Sequence, residues 1–593
     1  MAEKEPCKQH ELRVVVLGAK RSGKTSLIDR ILGSGDHSPR TLQTRQGEVG
    51  GRAVVMVDTV GWWRNFMLVD TAEFIKQKLQ LSVSMCPPGP HAFLLTVMTD
   101  IPFNEDNRRA IEEHLSLFGE NIWQHTIVVF IRGGTLEGKT VEEHIKSEGE
   151  ALKWLVEKCG NRYCVFEIRN SENDQASKLL GQIDTMIRVN DRRHFQADGS
   201  TLREVEDKTK TVTEKAADRR MNRKEEMQRQ GKVLPKSEIT ILMLGWVTSR
   251  KTTAKNIILN RKEGCCTERT KSAEMHIGET EGVKLSVVDT PGWWKYFPAQ
   301  ATPACVKEQL QKSLPLASQT PHAILLAVPA DTTFLEEQRK ITEDSMMMFG
   351  EQVWRHTMVL FTCGDLLADT SIEEHIESEG APLKWLVEKC GNRYHVFDGI
   401  NRGDGSQVRE LLEKIKKMEA LNESFAMYQA KEDSTPENET LGKVLHELWE
   451  ENNVMIAKEI EMSCKKSLTL PPNCSNNNEN PVVGTCDLSE EYKLAFKREI
   501  ARQETVAKER FWRMYLSDDD SKTCEHDLQA EEKIEGIRYN WTREWCRQLA
   551  IRTEGPDRYF QHTGDIETSW SCQHHGVKMG ALETPVKKRK MSV

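Results

Sequence analysis

The chain has 593 residues and a formal net charge of −8, with 83 Lys or Arg against 91 Asp or Glu. This length accommodates three or four domains that each bury a core, and the acidic balance gives no general basis for nucleic-acid binding. No apolar stretch of about 18 residues occurs, so no transmembrane segment is expected, and the charged start of the chain is unlike a signal peptide. Fifteen cysteines without a secretory signal favour reduced thiols and a cytoplasmic location.

A phosphate-binding loop is intact near the start of the chain. The run from Gly18 to Thr25 fits the pattern G-x-x-x-x-G-K-T and follows the apolar run Val14–Leu17. In such a loop the second glycine lets the backbone wrap a phosphate, the lysine faces the β and γ phosphates, and the threonine offers its hydroxyl to Mg²⁺. The predicted contacts are Gly18, Arg21, Ser22, Gly23, Lys24, Thr25 and Ser26.

A second loop of the same kind, Gly245–Thr252, follows the apolar run Ile241–Leu244 but has Arg250 where the second glycine belongs. Arginine brings a Cβ and a long side chain to a place where backbone should touch phosphate. We therefore expect this loop to open or the nucleotide to shift, although arginine also binds phosphate. The residues predicted to keep a nucleotide contact are Gly245, Lys251 and Thr252.

These loops belong to two copies of one domain. Residues 142–166 and 373–397 are identical at 21 of 25 positions. Each copy alternates apolar strands with amphipathic helices, which is typical of a parallel sheet covered on both faces. The predicted strands are Leu12–Leu17, Ala53–Val57, Ala92–Val97, Thr126–Ile131 and Tyr163–Phe166 in the first copy, and Ile239–Leu244, Lys284–Val288, Ala323–Val328, Thr357–Thr362 and Tyr394–Phe397 in the second.

A short acidic element, D-x-x-G, ends a strand in each copy. It places Asp58 and Gly61 in the first copy, and Asp289 and Gly292 in the second. The aspartate can reach Mg²⁺ and the glycine amide can sense a γ-phosphate, so Thr25 and Asp58 form the predicted metal site. Two tryptophans follow each glycine, so no glutamine is placed to orient water. Hydrolysis is therefore expected to be slow or absent.

Three further stretches resemble the immunity-associated GTPases, the IMAP family. They are the run Asp289–Trp294, the box Cys86–Phe93 (Cys-Pro-Pro-Gly-Pro-His-Ala-Phe) and Cys159–Tyr163. The resemblance covers roughly residues 9–195 and 236–420. It implies a septin-like domain that binds GTP or GDP with Mg²⁺, associates with itself or with other IMAP-type GTPases through its nucleotide face, and usually hydrolyses GTP slowly.

The resemblance also implies residue roles that the two copies share unevenly. Asp365 would accept two hydrogen bonds from guanine, whereas the first copy has Gly134 there, so weak base selectivity is expected in that copy. Thr270 resembles the switch threonine that closes over Mg²⁺. Asn161 and Asn392 fall in the closing loop, where they either lie near the base or cap a turn. The turns Asp100–Phe103 and Asp331–Phe334 lack the arginine that acts across the dimer in some members.

The predicted fold class is α/β. It comprises two tandem P-loop GTPase domains, each a mostly parallel sheet with helices on both faces, plus a helical and partly disordered tail. The predicted boundaries are 9–195 and 236–420 for the domains, 196–235 for a charged helical linker and 421–593 for the tail, with coiled-coil potential in the charged helices. The tail helices are expected at Leu441–Met462 and Glu490–Tyr515.

Two functional hypotheses remain open: a GTP-binding assembly switch, or a pseudo-GTPase scaffold whose domains serve only as interaction modules. Two other signals in the tail carry little weight. Cys546, Cys572, His574 and His575 fit no standard zinc spacing. The basic cluster Lys587–Lys590 resembles a short nuclear-import signal, but a solvated terminus is the simpler interpretation.

Overall fold

The computed structural model describes residues 11–33, 41–99, 103–131, 140–168, 174–191, 193–229, 237–261, 270–317, 321–398 and 405–422, together with five tail residues, 494, 495, 498, 499 and 502. These residues form two α/β domains, as the sequence predicts. Every predicted strand is present, with ends within one residue of the expected positions.

The first domain and the linker contain six strands and seven α-helices in the described residues. In chain order they are β1 (Leu12–Gly18), α1 (Lys24–Leu32), β2 (Gln43–Val49), β3 (Arg52–Asp58), α2 (Glu73–Leu81), β4 (Ala92–Met98), α3 (Glu105–Leu115), β5 (Thr126–Ile131), α4 (Val141–Glu148), α5 (Glu150–Lys158), β6 (Tyr163–Phe166), α6 (Asp174–Val189) and the linker helix α7 (Gly199–Arg229).

The second domain repeats this order. Its elements are β7 (Glu238–Leu244), α8 (Lys251–Ile258), β8 (Glu274–Thr280), β9 (Val283–Asp289), α9 (Ala304–Leu316), β10 (Ala323–Pro329), α10 (Glu336–Met347), β11 (Thr357–Thr362), α11 (Ile372–Ser378), α12 (Ala381–Lys389), β12 (Tyr394–Val396) and α13 (Ser406–Leu421). The sheet orders are β2-β3-β1-β4-β5-β6 and β12-β11-β10-β7-β9-β8.

Each sheet has one antiparallel edge strand that the sequence did not predict. β2 pairs antiparallel with β3, and β8 pairs antiparallel with β9. Both edge strands have one solvent-exposed face, and β2 carries polar side chains such as Gln46 and Glu48 there. A strand of this kind lacks the continuous apolar run that marks a buried parallel strand, so its signal in the sequence is weak.

The central strands are buried on both faces, and this burial positions the sites. In the first domain Val15 and Leu17 face one core cluster while Val14 and Val16 face another. β1 is parallel to both of its neighbours, β3 and β4. The loops that follow these strands therefore meet at one edge of the sheet, the carboxyl edge, where open α/β sheets bind ligands.

The linker is helical, as expected, but one face of it packs against the second domain. Arg219 donates to the Glu377 carboxylate at 2.8 Å and to the Asn392 side chain at 3.0 Å. The Arg223 guanidinium lies 3.8 Å from the centre of the Tyr394 ring. These contacts make α7 a packed bridge between the domains, in addition to a connector.

The two domains also touch directly near their carboxyl edges. The Thr333 hydroxyl donates to the Val69 carbonyl at 3.1 Å, and the Thr332 hydroxyl donates to the Asp70 carbonyl at 3.3 Å. Nearby, the Glu379 carboxylate accepts the Glu73 amide at 2.7 Å. The segment after Gly61 in the first domain therefore lies against the turn that follows β10 in the second.

Candidate nucleotide sites

The first phosphate loop has the expected backbone geometry. Gly23 ends the loop with φ 84° and ψ 17°, a left-handed conformation that suits glycine, and α1 begins at the next residue. The Lys24 ammonium donates to the carbonyls of Gly18 at 3.1 Å and Ala19 at 2.8 Å. Burial lowers the pKa of Lys24 to about 8. A bound phosphate would add negative charge beside this buried ammonium, on which the Asp58 charge also acts.

The predicted metal residues of the first copy lie together. The Thr25 hydroxyl donates to Asp58 Oδ2 at 2.7 Å. Asp58 Oδ1 is buried and has no hydrogen-bond partner among the described residues, and burial raises the pKa of this carboxyl above its ordinary value. Mg²⁺ prefers hard oxygen donors, and a hydroxyl beside a carboxylate with one unbonded oxygen fits that preference. When bound, the metal would supply positive charge beside the β and γ phosphates.

The segment after Asp58 covers the loop closely. The Lys20 amide donates to the Trp62 carbonyl at 2.7 Å. A Cβ on Gly61 would lie 2.6 Å from both the Lys20 amide nitrogen and the Lys24 ammonium. Only glycine therefore fits at this position, and a group entering beside Lys24 must move this segment. Gly292 is packed against the Val247 amide of the second loop in the same way.

Of the two alternatives expected for the second loop, opening of its backbone is wrong, and a shift of the nucleotide stays a prediction. Arg250 takes φ 62° and ψ 32°, close to the values of Gly23. Lys251 donates to the carbonyls of Gly245 at 3.0 Å and Trp246 at 2.9 Å, as its counterpart does in the first copy. The repeated strand–loop–helix frame imposes this path, and the Arg250 side chain, 3% exposed, is buried within the domain.

A compensating change accompanies Arg250. In the first copy a Cβ on Gly23 would lie 3.0 Å from the side chain of Ile131, the last residue of β5. The corresponding residue at the end of β11 is Thr362, whose hydroxyl donates to the Ser249 carbonyl at 3.0 Å. A smaller residue that also bonds the loop thus stands where the first copy has a bulky aliphatic one.

The second copy has more side chains than the first around its predicted metal-binding oxygens. We call this part of each domain, the loop threonine and the D-x-x-G aspartate, its metal edge. The Thr252 hydroxyl lies 3.0 Å from Asp289 Oδ2 and 3.2 Å from the Thr270 hydroxyl, so Thr270 takes the place that the resemblance implies. The Lys255 ammonium also lies 3.2 Å from Asp289 Oδ2. The first copy has Ile28 at the position of Lys255. In this conformation an ammonium is already paired with the carboxylate that would face a metal.

The residues proposed to read the base separate into two groups. Asp365 is buried in the short helix Gly364–Leu366 directly after β11, at the carboxyl edge, while Gly134 lies outside the described residues. Asn161 and Asn392 precede β6 and β12 and therefore lie at the opposite edge. Each has a left-handed backbone, and their amides donate to the carbonyls of Val156 and Val387, which is the geometry of a helix-ending turn.

No sequence motif pointed to two arginines of the tail that reach this region. Arg498 makes a forked ion pair with Asp70 of the first domain, at 2.8 and 3.0 Å, and contacts Glu337 of the second at 3.2 Å. Its guanidinium also lies 4.1 Å from the centre of the Tyr296 ring. One tail side chain therefore contacts both domains at their carboxyl edges.

The second tail arginine is fully buried. Arg502 lies 2.9 Å from Asp331, and both side chains are 0% exposed. Burial alone would raise the pKa of Asp331, but the Arg502 charge and hydrogen bond hold it below its usual range. Asp331 begins the turn after β10 for which the family resemblance suggested an arginine. The turn itself has none, but an arginine from the tail is bonded to it.

A family model described as the AIG1 family matches residues 12–216 and 239–444, more than half of the chain. The chain belongs to the AIG1 family. Both matched segments contain a phosphate loop and a D-x-x-G element, so the duplication seen in the sequence is a duplication of the AIG1 domain.

Among curated relatives, the chain is 25% identical over 438 residues to GTPase IMAP family member 8 of Homo sapiens, covering 70% of this chain and 63% of the relative. It is 26% identical to the Mus musculus protein of that name, covering 54% of it. Less than two thirds of either relative is thus spanned. A solved structure of Toc33 from Arabidopsis thaliana with GDP and Mg²⁺ matches at 17% identity, covering 32% of this chain and 88% of that one, with a TM-score of 0.27.

Several predictions about the chain ends fall outside the described residues. They include the Cys546–His575 group, the basic cluster and most of the tail. Among the residues that are described, no helix is both long and apolar enough to cross a membrane. The same residues contain no cluster of three or more His, Cys, Asp or Glu side chains able to hold a metal ion.

Proposed function

We propose that the chain is a GTP-binding assembly switch in which the first domain responds to nucleotide and the second mainly supplies a surface. The observation that carries this proposal is the metal edge of the first copy. There the Thr25 hydroxyl donates to an Asp58 carboxylate whose Oδ1 atom has no hydrogen-bond partner among the described residues, and Lys24, the residue before Thr25, is buried. GTP or GDP with Mg²⁺ is the ligand whose charges complement these groups.

Slow hydrolysis accompanies this role. The two residues that follow Gly61, Trp62 and Trp63, are buried aromatic residues, so neither offers a glutamine-like side chain to orient an attacking water. A charge-stabilising arginine contributes about 10³–10⁵ in rate to GTPases that use one. The buried Arg502 is instead bonded to Asp331 of the second domain. Single-turnover GTP hydrolysis near one per second without a partner would contradict this part of the proposal.

Assembly is the proposed output, with the chain itself or another AIG1-type GTPase as partner in the cytoplasm. The carboxyl edges of the two domains already meet within the chain through Val69 and Thr333. A second chain that binds the nucleotide face must therefore displace this contact or use the surface beside it. Nucleotide that moves the segment after Gly61 would change which of these contacts forms.

Two measurements test the switch. Protein purified without added nucleotide, denatured and analysed by chromatography should release GDP or GTP. Sedimentation velocity with a non-hydrolysable GTP analogue should show stronger association than with GDP. Lys24→Ala should abolish the difference, whereas the matched variant Lys251→Ala should retain it. The opposite pattern for the two lysine variants would show that the active and passive domains are assigned the wrong way round.

A pseudo-GTPase scaffold is the second candidate, and a specific observation favours it. In the second domain the buried Arg250 stands in the phosphate loop, and the tail arginine Arg502 pairs with Asp331 in the turn after β10. If the first domain also bound no nucleotide, the chain would bind its partners without nucleotide. Absence of nucleotide from the purified protein, together with association that is unchanged in Lys24→Ala, would favour the scaffold.

A further inference from the structure

The second metal edge differs from the first by one cation. Ile28 and Lys255 occupy the same position, one turn after the loop lysine. Ile28 is 0% exposed and belongs to an apolar core cluster. Lys255 instead extends its ammonium to Asp289 Oδ2 at 3.2 Å, and the two side chains are 8% and 2% exposed. A desolvated contact of this kind neutralises the carboxylate that a metal would need.

The groups around Lys255 hold it in this place. His276 Nε2 lies 3.2 Å from the Lys255 ammonium. Burial and the neighbouring Lys255 charge both lower the pKa of His276, so the neutral ring can accept a hydrogen bond from the ammonium. Asp289 and His276 therefore both stabilise an ammonium at this point.

The first copy distributes its charges differently. Arg45 stands at the β2 position that matches His276, but it is paired with Asp29 at 2.5 Å. The second copy has Asn256 where the first has Asp29. Arg45 thus has its own counter-charge, and Asp58 is left with Thr25 as its hydrogen-bond partner among the described residues. Both carboxylates keep a buried Oδ1 atom without a hydrogen-bond partner among the described residues. The difference is at Oδ2, where Asp289 has the Lys255 ammonium at 3.2 Å and Asp58 has only the Thr25 hydroxyl among the described residues.

We propose that Lys255 replaces Mg²⁺ in the second domain, and that this domain holds the phosphates of its ligand without a divalent metal. A divalent ion at the Thr252 and Asp289 oxygens would lie close to a buried ammonium and be repelled by it. Lys251 still donates to the carbonyls of Gly245 and Trp246, so the second loop keeps the lysine that is expected to face a phosphate. This inference rests on the proposed nucleotide-binding role of the two sites.

The test counts bound Mn²⁺, a paramagnetic substitute for Mg²⁺, on the full chain. Protein stripped with EDTA is saturated with GDP and titrated with Mn²⁺, and free Mn²⁺ is measured by electron paramagnetic resonance. We expect one Mn²⁺ per chain, lost in Asp58→Asn and retained in Asp289→Asn. In an Arg250→Gly background, which opens the second loop to the nucleotide, Lys255→Ile should raise the count to two.

The reciprocal variant Ile28→Lys should remove the Mn²⁺ of the first site, with circular dichroism confirming that the chain is folded. Two Mn²⁺ per wild-type chain, one of them lost in Asp289→Asn, would overturn the inference. So would an unchanged count when Lys255→Ile is added to Arg250→Gly. A wild-type count of zero would overturn the proposed function of the first domain, and the gain on Lys255→Ile would still decide this inference separately.

Discussion

The two phosphate loops share a backbone and differ in charge. Gly23 and Arg250 adopt nearly the same left-handed conformation, and Lys24 and Lys251 bond the corresponding carbonyls. The fold therefore fixes the loop path, since a strand must turn into a helix at this point whatever residue stands there. Side chains decide the chemistry. Each copy keeps a buried aspartate Oδ1 without a hydrogen-bond partner among the described residues, but only in the second does an ammonium, that of Lys255, pair with the other oxygen.

The largest expected effect concerns the tail contact of the second domain. Asp331→Asn leaves the buried Arg502 guanidinium without its carboxylate, and breaking a buried pair from one side costs about 3–5 kcal/mol. The midpoint temperature of thermal unfolding of a domain of this size falls by roughly 2–4 °C for each kcal/mol of destabilisation. Calorimetry should therefore show the second-domain transition lowered by many degrees while the first-domain transition stays in place.

Two controls sharpen this prediction. Glu120→Gln removes an exposed ion pair with Lys158 in the first domain, and such pairs contribute about 0–1 kcal/mol. The double variant Asp331→Leu with Arg502→Met replaces the buried pair by apolar groups and should be more stable than Asp331→Asn alone. A double variant that is less stable than the single one would show that Arg502 stabilises the domain through contacts other than Asp331.

The next effect compares the two loop lysines in nucleotide binding. A charge-assisted hydrogen bond contributes about 1.5–3 kcal/mol, so Lys24→Ala should weaken GDP binding at least about tenfold. Lys251→Ala should leave the measured affinity of the full chain nearly unchanged, because the proposed division of roles gives the second loop only weak nucleotide binding. Titration with labelled GDP measures both. Equal losses of GDP affinity in the two variants would contradict the proposal that only the first domain responds to nucleotide.

Local patterns predicted most of the fold and the first site. The strands Thr126–Ile131 and Tyr163–Phe166 were predicted to the residue because they are continuous apolar runs. Thr25 and Asp58 meet because the carboxyl ends of adjacent parallel strands share one edge of the sheet. Each of these inferences depends on a motif within a short stretch of chain and on the topology that the strand order imposes.

Contacts between distant parts of the chain were not predictable in this way. Arg498 and Asp70 are 428 positions apart, and nothing in the local sequence of either residue identifies the other. The contact of Lys255 with Asp289 was not predictable for a different reason, since a lysine on an amphipathic helix usually faces solvent. Only the packing of α8 against β9 shows that it reaches Asp289. Pairings of buried charges depend on tertiary placement, which spacing alone does not encode.

A smaller effect is expected from exchanging the loop residues. Gly23→Arg places a Cβ 3.0 Å from Ile131 and a side chain in a left-handed backbone, a conformation that costs roughly 1–2 kcal/mol. We expect it to weaken GDP binding to the first domain about tenfold. Arg250→Gly should strengthen binding to the second domain by a similar factor. Micromolar GTP binding by the second domain with Arg250 in place would show that the arginine is accommodated.

The last predicted effect is a pH dependence at the contact between the domains. Burial raises the pKa of Glu379 to about 7 from its ordinary value of 4.5, and its oxygens accept the amides of Glu73 and Phe334. A raised carboxyl pKa means that the packed state keeps a proton that the separated state has released. The stabilisation is therefore complete below about pH 4.5 and is lost as pH rises through 7, at up to about 1.4 kcal/mol per pH unit.

Other buried groups titrate with the opposite sign, so the prediction concerns a difference between two proteins. Burial lowers the pKa of His375 to about 4 and that of Lys295 to about 7, and both groups favour the folded state as pH rises. Glu379→Gln keeps an acceptor for the Glu73 amide but cannot ionise. Between pH 5 and 7 the wild type should lose thermal stability relative to Glu379→Gln. Parallel curves for the two proteins would show that Glu379 does not titrate in this range.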